Sequence, residues 1–165
     1  MEKIDLKLLY EQYYRPLFLY ALSLTGTGPD AEDLVSDTFI RAYLSYTADK
    51  GEILKWMMVV LRHGFIDQYR RKRHTIEDGE AVLPWLRDDG DLLDRYIQEE
   101  RKRWIYRQIY MLPAREREIM LLTAAAEMSD AQIGEIVHLD VGHVRVIRHR
   151  VRRQLAELAR KEGYL

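Results

Sequence analysis

The stretch from Met128 to Leu155, MSDAQIGEIVHLDVGHVRVIRHRVRRQL, leaves this chain few ways to fold: it specifies two short helices around a tight turn. Ser129 followed by Gln132 meets the capping-box pattern, in which side chain and backbone at a helix start satisfy each other's hydrogen bonds. Met128 and Ile133 stand where a hydrophobic staple fixes the entry angle of the chain. The pattern then repeats, with Asp140 as a second N-cap and Leu139 and Val144 as its staple. Val141, Val144, Val151 and Leu155 form an apolar stripe at helical spacing. Arg145, Arg148, Arg150, Arg152 and Arg153 occupy much of the remaining circumference, as a helix facing phosphates and base edges requires. This is the physics of a helix-turn-helix. A solvated basic face on a helical hairpin is the competing reading.

The net charge of -1 conceals that nucleic-acid signal, because opposite charges are segregated along the chain. Thr75 to Glu100 holds nine acidic residues against Arg87 and Arg95, while Val141 to Leu165 holds seven basic residues against Glu157 and Glu162. With 47% hydrophobic and 32% charged residues over 165 positions, there is material for one domain or two small ones, not for a disordered chain. The absence of cysteine excludes disulfides, thiolate nucleophiles and cysteine-zinc sites. No signal peptide is evident, and the longest apolar run, Trp56 to Leu61, is far short of a bilayer span. These features predict a cytoplasmic protein without membrane insertion.

Helical periodicity runs through nearly the whole chain, so the expected fold class is all-α. Leu6, Leu9, Tyr10, Tyr13, Leu17, Tyr20, Ala21 and Leu24 mark a first helix, with a kink expected at Pro16 and a stop at Gly26-Thr27-Gly28-Pro29. Asp30 is the expected N-cap of a second helix carrying Ala31, Leu34, Val35, Thr38, Phe39 and Ala42. Ile53 to Tyr69 reads as a third, ending in the basic run Arg70-Arg71-Lys72-Arg73. Gly79, Pro84, Gly90 and the acidic residues mark residues 75–94 as a linker with one short turn near Trp85. Beyond it, one helix is expected from about Leu93 to Met111, and another with Pro113 at its first position. The organisation is thus two small helical domains, residues 1–74 and 95–165, joined by an acidic linker.

In this order the segments resemble the extracytoplasmic-function, or group IV, sigma factors of bacterial RNA polymerase, over nearly the whole chain. LYEQYYRPLFLYALSLTGTGPDAEDLVSDTFIRAYLSY resembles the family's region two, most specifically at Tyr14-Arg15-Pro16-Leu17 and at Asp30 to Val35 followed by Phe39. WMMVVLRHGFIDQYRRKR resembles its tryptophan-led promoter-melting helix, and LPAREREIMLL with the helix-turn-helix resembles region four. The resemblance implies a factor that binds core RNA polymerase and promoter DNA, with an anti-sigma factor as a further partner of the kind the family has. It also implies that the linker threads toward the RNA exit path. A stand-alone helix-turn-helix regulator with a helical sensor domain is the alternative, and an interaction adaptor without DNA binding a third reading that the arginine-rich helix disfavours.

Asp33 and Asp37 lie four apart on one helix face beside Ser36, where they can meet a basic partner surface or remain solvated charges. The resemblance assigns Asp33, Ser36, Asp37 and Arg41 to docking on the polymerase clamp. Single-stranded DNA binding needs basic residues beside aromatic or shape-selective pockets, and Arg62, His63, Arg70, Arg71 and Arg73 supply the basic part. By resemblance, the loop Tyr46 to Glu52 with the helix around Met58 to His63 holds a flipped base of the minus-10 element. The minus-35 set is His143, Arg145, Arg148, His149 and Arg152.

Three positions depart from the family pattern: His63 replaces the usual asparagine, His138 replaces a turn glycine, and the basic and apolar residues at Ile147 and Arg148 are exchanged. Histidine tolerates the left-handed backbone that the turn requires better than a β-branched residue does. Ile147 lies three after Val144 and four before Val151, and is expected in the core, the alternative being that it reads a thymine methyl; Arg148 is too costly to bury unpaired and is expected to reach solvent or DNA. The five histidines lack metal-ligand spacing, and no phosphate-binding glycine loop or nucleophile elbow is present, so no catalysis, metal or cofactor is expected.

Overall fold

The computed structural model describes residues 5–68 and 91–165, which are helical and fall into two compact units. The first contains α1 (Leu6–Thr25), α2 (Gly28–Ser45), a 3-10 turn (Ala48–Lys50) and α3 (Ile53–Gln68). The second contains α4 (Asp91–Tyr96), α5 (Glu100–Tyr110), α6 (Ala114–Ala124), α7 (Asp130–Val137) and α8 (Val141–Glu162). Arg70, Arg71 and Arg73, and most of the acidic linker with Trp85, lie outside the described residues.

In the first unit α1 is the central element. It continues through Pro16, and every residue from Leu17 to Ser23 is buried, so its second half is enclosed all round rather than along a stripe. The buried Ser23 hydroxyl donates to the Tyr20 carbonyl at 2.6 Å, and Thr38 likewise to Leu34 at 2.8 Å, which removes the cost of burying them. Gly26, left-handed at φ 78°, ends α1. The N-cap of α2 is Thr27, not Asp30: the Thr27 hydroxyl accepts the Asp30 amide at 3.3 Å. Pro29 causes the shift, since its fixed φ and missing N–H suit a first turn and let the helix begin at Gly28. Asp30 contributes instead as an acid near the positive end of the helix dipole. Gly64 lets α3 approach α2 closely, since a Cβ there would stand 3.2 Å from Leu34 Cδ1.

In the second unit the expected single helix from Leu93 to Met111 is two helices, broken at Ile97–Glu99. The Arg103 guanidinium donates to the carbonyls of Ile97 (3.0 Å) and Gln98 (2.7 Å) and pairs with Asp94 at 3.1 Å, closing α4 with a side chain from α5. Leu92 and Leu93 are buried, so the folded unit takes in the end of the stretch read as linker. Pro113 is the N-cap of α6 rather than its first residue. Arg117 is buried, and its Nε and Nη2 satisfy the Leu112 carbonyl at 3.2 and 3.1 Å. At the far end, Gly163 turns the chain so that the Tyr164 ring stacks on Trp104 at 4.7 Å, while Trp104 Nε1 donates to Glu162 at 2.5 Å.

The helix-turn-helix forms by the local rules of its sequence. Ser129 and Gln132 make both bonds of the capping box, at 3.1 and 2.9 Å, with Met128 and Ile133 buried beside it. His138 adopts the left-handed conformation (φ 59°, ψ 48°), and Asp140 caps α8 by accepting the Gly142 amide at 3.2 Å. Gly134 keeps the turn tight: a Cβ there would fall 2.7 Å from the Leu139 carbonyl oxygen.

Candidate functional site

α8 has three distinct sides. Val144, Ile147 and Val151 are buried against the rest of the unit, with Ile147 only 3% exposed. At about 100° per residue, Gly142, Val146, His149 and Arg153 point the opposite way, and all four are exposed. Arg145 and Arg152 occupy one flank; His143 and Arg150 occupy the other, where Arg150 Nη2 pairs with Glu116 at 2.6 Å. The helix thus presents His143, Arg145, His149 and Arg152 to solvent, together with Arg153 and Val146. Val146, 61% exposed, is an apolar residue out of phase with the buried stripe. That phase mismatch was the sequence signal for it.

Arg148 departs from its expected place. Its side chain is only 14% exposed, and its Nη1 donates to Asp130 Oδ1 instead of reaching outward. Asp130 is the first residue of α7 and stands opposite this flank of α8, so the exchanged arginine has a carboxylate to meet. Arg145 Nε approaches the other oxygen of the same carboxylate at 3.3 Å, but the Arg145 side chain remains 68% exposed. Burial pulls the Asp130 pKa upward; the hydrogen bond and charge of Arg148, then those of Arg145, outweigh it and hold the carboxyl below the usual range.

Because the folded pKa is depressed, the stabilisation is complete above the unfolded value of about 3.9 and is lost as pH falls through the lower folded value. Urea melts should therefore show a constant stability difference between parent and Asp130→Asn above about pH 5, narrowing below about pH 4. A difference that widens on acidification contradicts this assignment.

In the first unit, Asp33, Ser36 and Arg41 are exposed and Asp37 is half-buried along the outer face of α2. Ile40 (55% exposed) and Leu44 (73% exposed) continue that face, a feature the charge pattern alone did not reveal. An apolar strip edged by carboxylates and a guanidinium is suited to a partner that buries carbon and answers charge.

The loop before α3 is internally built. Tyr46 donates its hydroxyl to the Gly51 carbonyl at 2.6 Å and meets the Trp56 ring edge-on at 5.4 Å. Lys50 donates to the Ser45 carbonyl at 2.9 Å and lies over Trp56 at 5.8 Å, while the Thr47 hydroxyl, bonded to Asp49, holds that carboxyl below its usual range. Gly51 closes the loop at φ 90°. His63 is exposed on α3, about two turns beyond Trp56, and Arg62 is half-buried. Among the described residues no cluster of histidine and carboxylate groups could hold a metal, and no helix is long and apolar enough to cross a membrane.

The described residues thus form two helical units, one with a basic helix-turn-helix and the other with an exposed apolar strip edged by charge, an arrangement suited to binding DNA and a protein partner. The Sigma-70 region 2 family matches residues 9–75, and Sigma-70, region 4 matches residues 102–155. Over 156 residues the chain is 24% identical to the ECF RNA polymerase sigma factor SigM of Bacillus subtilis (strain 168), covering 91% of this chain and 92% of that one. Identity to RNA polymerase sigma factor YlaC of the same organism is 27% over 154 residues, covering 89% and 87%. Among solved structures, the sigma factor RpoE from Bartonella quintana, crystallised with the anti-sigma factor NepR, superposes with a TM-score of 0.65 at 25% identity over 94% of this chain and 97% of that one. CnrH, in complex with the cytosolic domain of CnrY, shares the fold (TM-score 0.60, 21% identity, 94% and 88% covered).

The chain belongs to the extracytoplasmic-function sigma factors. It binds core RNA polymerase and promoter DNA and directs the enzyme in transcription initiation; no enzymatic family is among its matches. The region 2 match in the first unit sets aside a stand-alone regulator with a sensor domain.

Proposed function

We propose that the two units divide promoter engagement between them. The outer face of α2, through Asp33, Ser36, Asp37 and Arg41 with Ile40 and Leu44, docks on core polymerase. The Tyr46–Glu52 loop and α3, with Arg62 and His63 and the following Arg70, Arg71 and Arg73, take the minus-10 element as it opens. α8 lies in the major groove of the minus-35 element, where His143, Arg145, His149, Arg152 and Arg153 face DNA and Val146 is placed to meet a thymine methyl. Arg148 belongs to the scaffold of that helix. The protein works in the cytoplasm and performs no chemistry of its own. An anti-sigma factor that covers the docking face would hold it inactive, in keeping with the complexes formed by RpoE and CnrH.

The observation that carries this reading is the outward side of α8, which presents arginines, a histidine and one apolar side chain opposite a fully buried stripe. Alanine at Arg145, His149 and Arg153 together should lower holoenzyme affinity for the minus-35 element by about tenfold or more. The salt slope should also flatten by about one for every phosphate the variant no longer neutralises. Mobility-shift titrations at several salt concentrations measure both, and unchanged affinity and slope would remove α8 as the reader.

A further inference from the structure

Among the described residues, Asp130 is the one carboxylate that engages two arginines of the recognition helix, and it treats them differently. Arg148 is enclosed: its Nη1 is bound to Oδ1, and its Nε is buried without a hydrogen-bond partner. Arg145 is gripped only at Nε, by Oδ2, and most of its side chain stays in solvent. A guanidinium is planar, so a bond at Nε fixes the plane and leaves the edge formed by Nη1 and Nη2 facing away from the carboxylate. That edge can make two parallel hydrogen bonds to O6 and N7 of guanine.

The carboxylate weakens, without cancelling, the pull of this flank on a phosphate, because two arginines share one negative charge. A phosphate approaching this flank of α8 meets a carboxylate beside the arginine, and Arg148 is already neutralised by the same group. Base edges carry partial charges and suffer far less repulsion. A free arginine on a long flexible stem can reach phosphates as well as bases; one held at Nε has fewer orientations to lose on binding.

We propose that Asp130 is a specificity-determining positioning residue, which turns Arg145 from a phosphate contact into a reader of guanine in the upstream promoter element. This rests on the reading of α8 as the major-groove helix. It assigns a role in recognition to the first helix of the motif, through a residue that itself touches no base. It also accounts for the exchanged pair: an arginine at 148 with Asp130 opposite builds a fixed support beside Arg145, which an apolar residue at 148 would not.

The test compares parent, Asp130→Asn, Asp130→Glu and Arg145→Ala, each as full-length protein assembled with core polymerase. Each holoenzyme selects from a duplex library randomised across the minus-35 element, at a temperature where circular dichroism shows all four proteins folded. Asp130→Asn should lose about tenfold in preference for guanine at one position, the same position at which Arg145→Ala loses it. Its affinity for non-matching DNA should rise and its salt slope steepen by about one, because a negative charge is gone and Arg148 is released. Asp130→Glu, which keeps the charge on a longer stem, should retain part of the preference.

An unchanged base profile in both Asp130 variants overturns the proposal. So does uniformly weaker binding with the profile intact, the mark of a purely structural pair. If instead Arg145→Ala keeps the full profile and the triple alanine variant of α8 still binds, it is the assignment of the recognition helix that fails.

Discussion

Replacing Ile147 with alanine is expected to cost the C-terminal unit about 2–4 kcal/mol, the range for emptying a buried isoleucine site. Ile147 closes the stripe between Val144 and Val151 and is 3% exposed, so removing its outer carbons leaves a cavity that neighbours on α6 and α7 can only partly fill. Val146, one residue earlier, is the internal control. Its side chain stands in solvent, and Val146→Ala should change stability by less than about 0.5 kcal/mol while weakening recognition of a thymine. Chemical denaturation of the two variants, followed by DNA binding, separates the roles. An Ile147→Ala protein as stable as the parent, with DNA binding abolished, would mean that α8 is rotated and that Ile147 faces the groove.

The second large effect concerns α2. Reversing charge at Asp33 and Asp37 together should weaken association with core polymerase by roughly 1–3 kcal/mol for each site that meets a basic surface, about five- to 150-fold. Asp33 is exposed and Asp37 half-buried, so the fold of the first unit should survive the change. Co-purification and equilibrium titration with core enzyme measure the effect. If the double variant Asp33→Arg, Asp37→Arg binds core as the parent does, the acidic edge is only solvated charge.

Features governed by neighbours within a few residues were legible in the sequence. The Ser129–Gln132 box, the Asp140 cap, the left-handed His138 and the burial of Ile147 all follow from spacing and cap chemistry. The misplaced start of α2 is also local, and shows that Gly28-Pro29 is a better helix start than the acidic residue after it. What could not be read was set by distant partners. The break between α4 and α5 falls inside a continuous helical pattern and depends on where the Arg103 guanidinium goes. The enclosure of Arg148 depends on Asp130, eighteen residues earlier and on another helix. The exposure of Ile40 and Leu44 depends on α1 and α3 packing against the other side of α2.

Both units should act together on core polymerase to start transcription at chosen sites. Run-off transcription from genomic fragments, with purified core enzyme in the presence and absence of this protein, tests it most directly. Discrete transcripts that appear only when core and this protein are both present, and that fall away with the Asp33→Arg, Asp37→Arg variant, are the predicted result. Tight site-specific DNA binding by the protein alone, with no new transcript from core enzyme, would instead make it a stand-alone regulator.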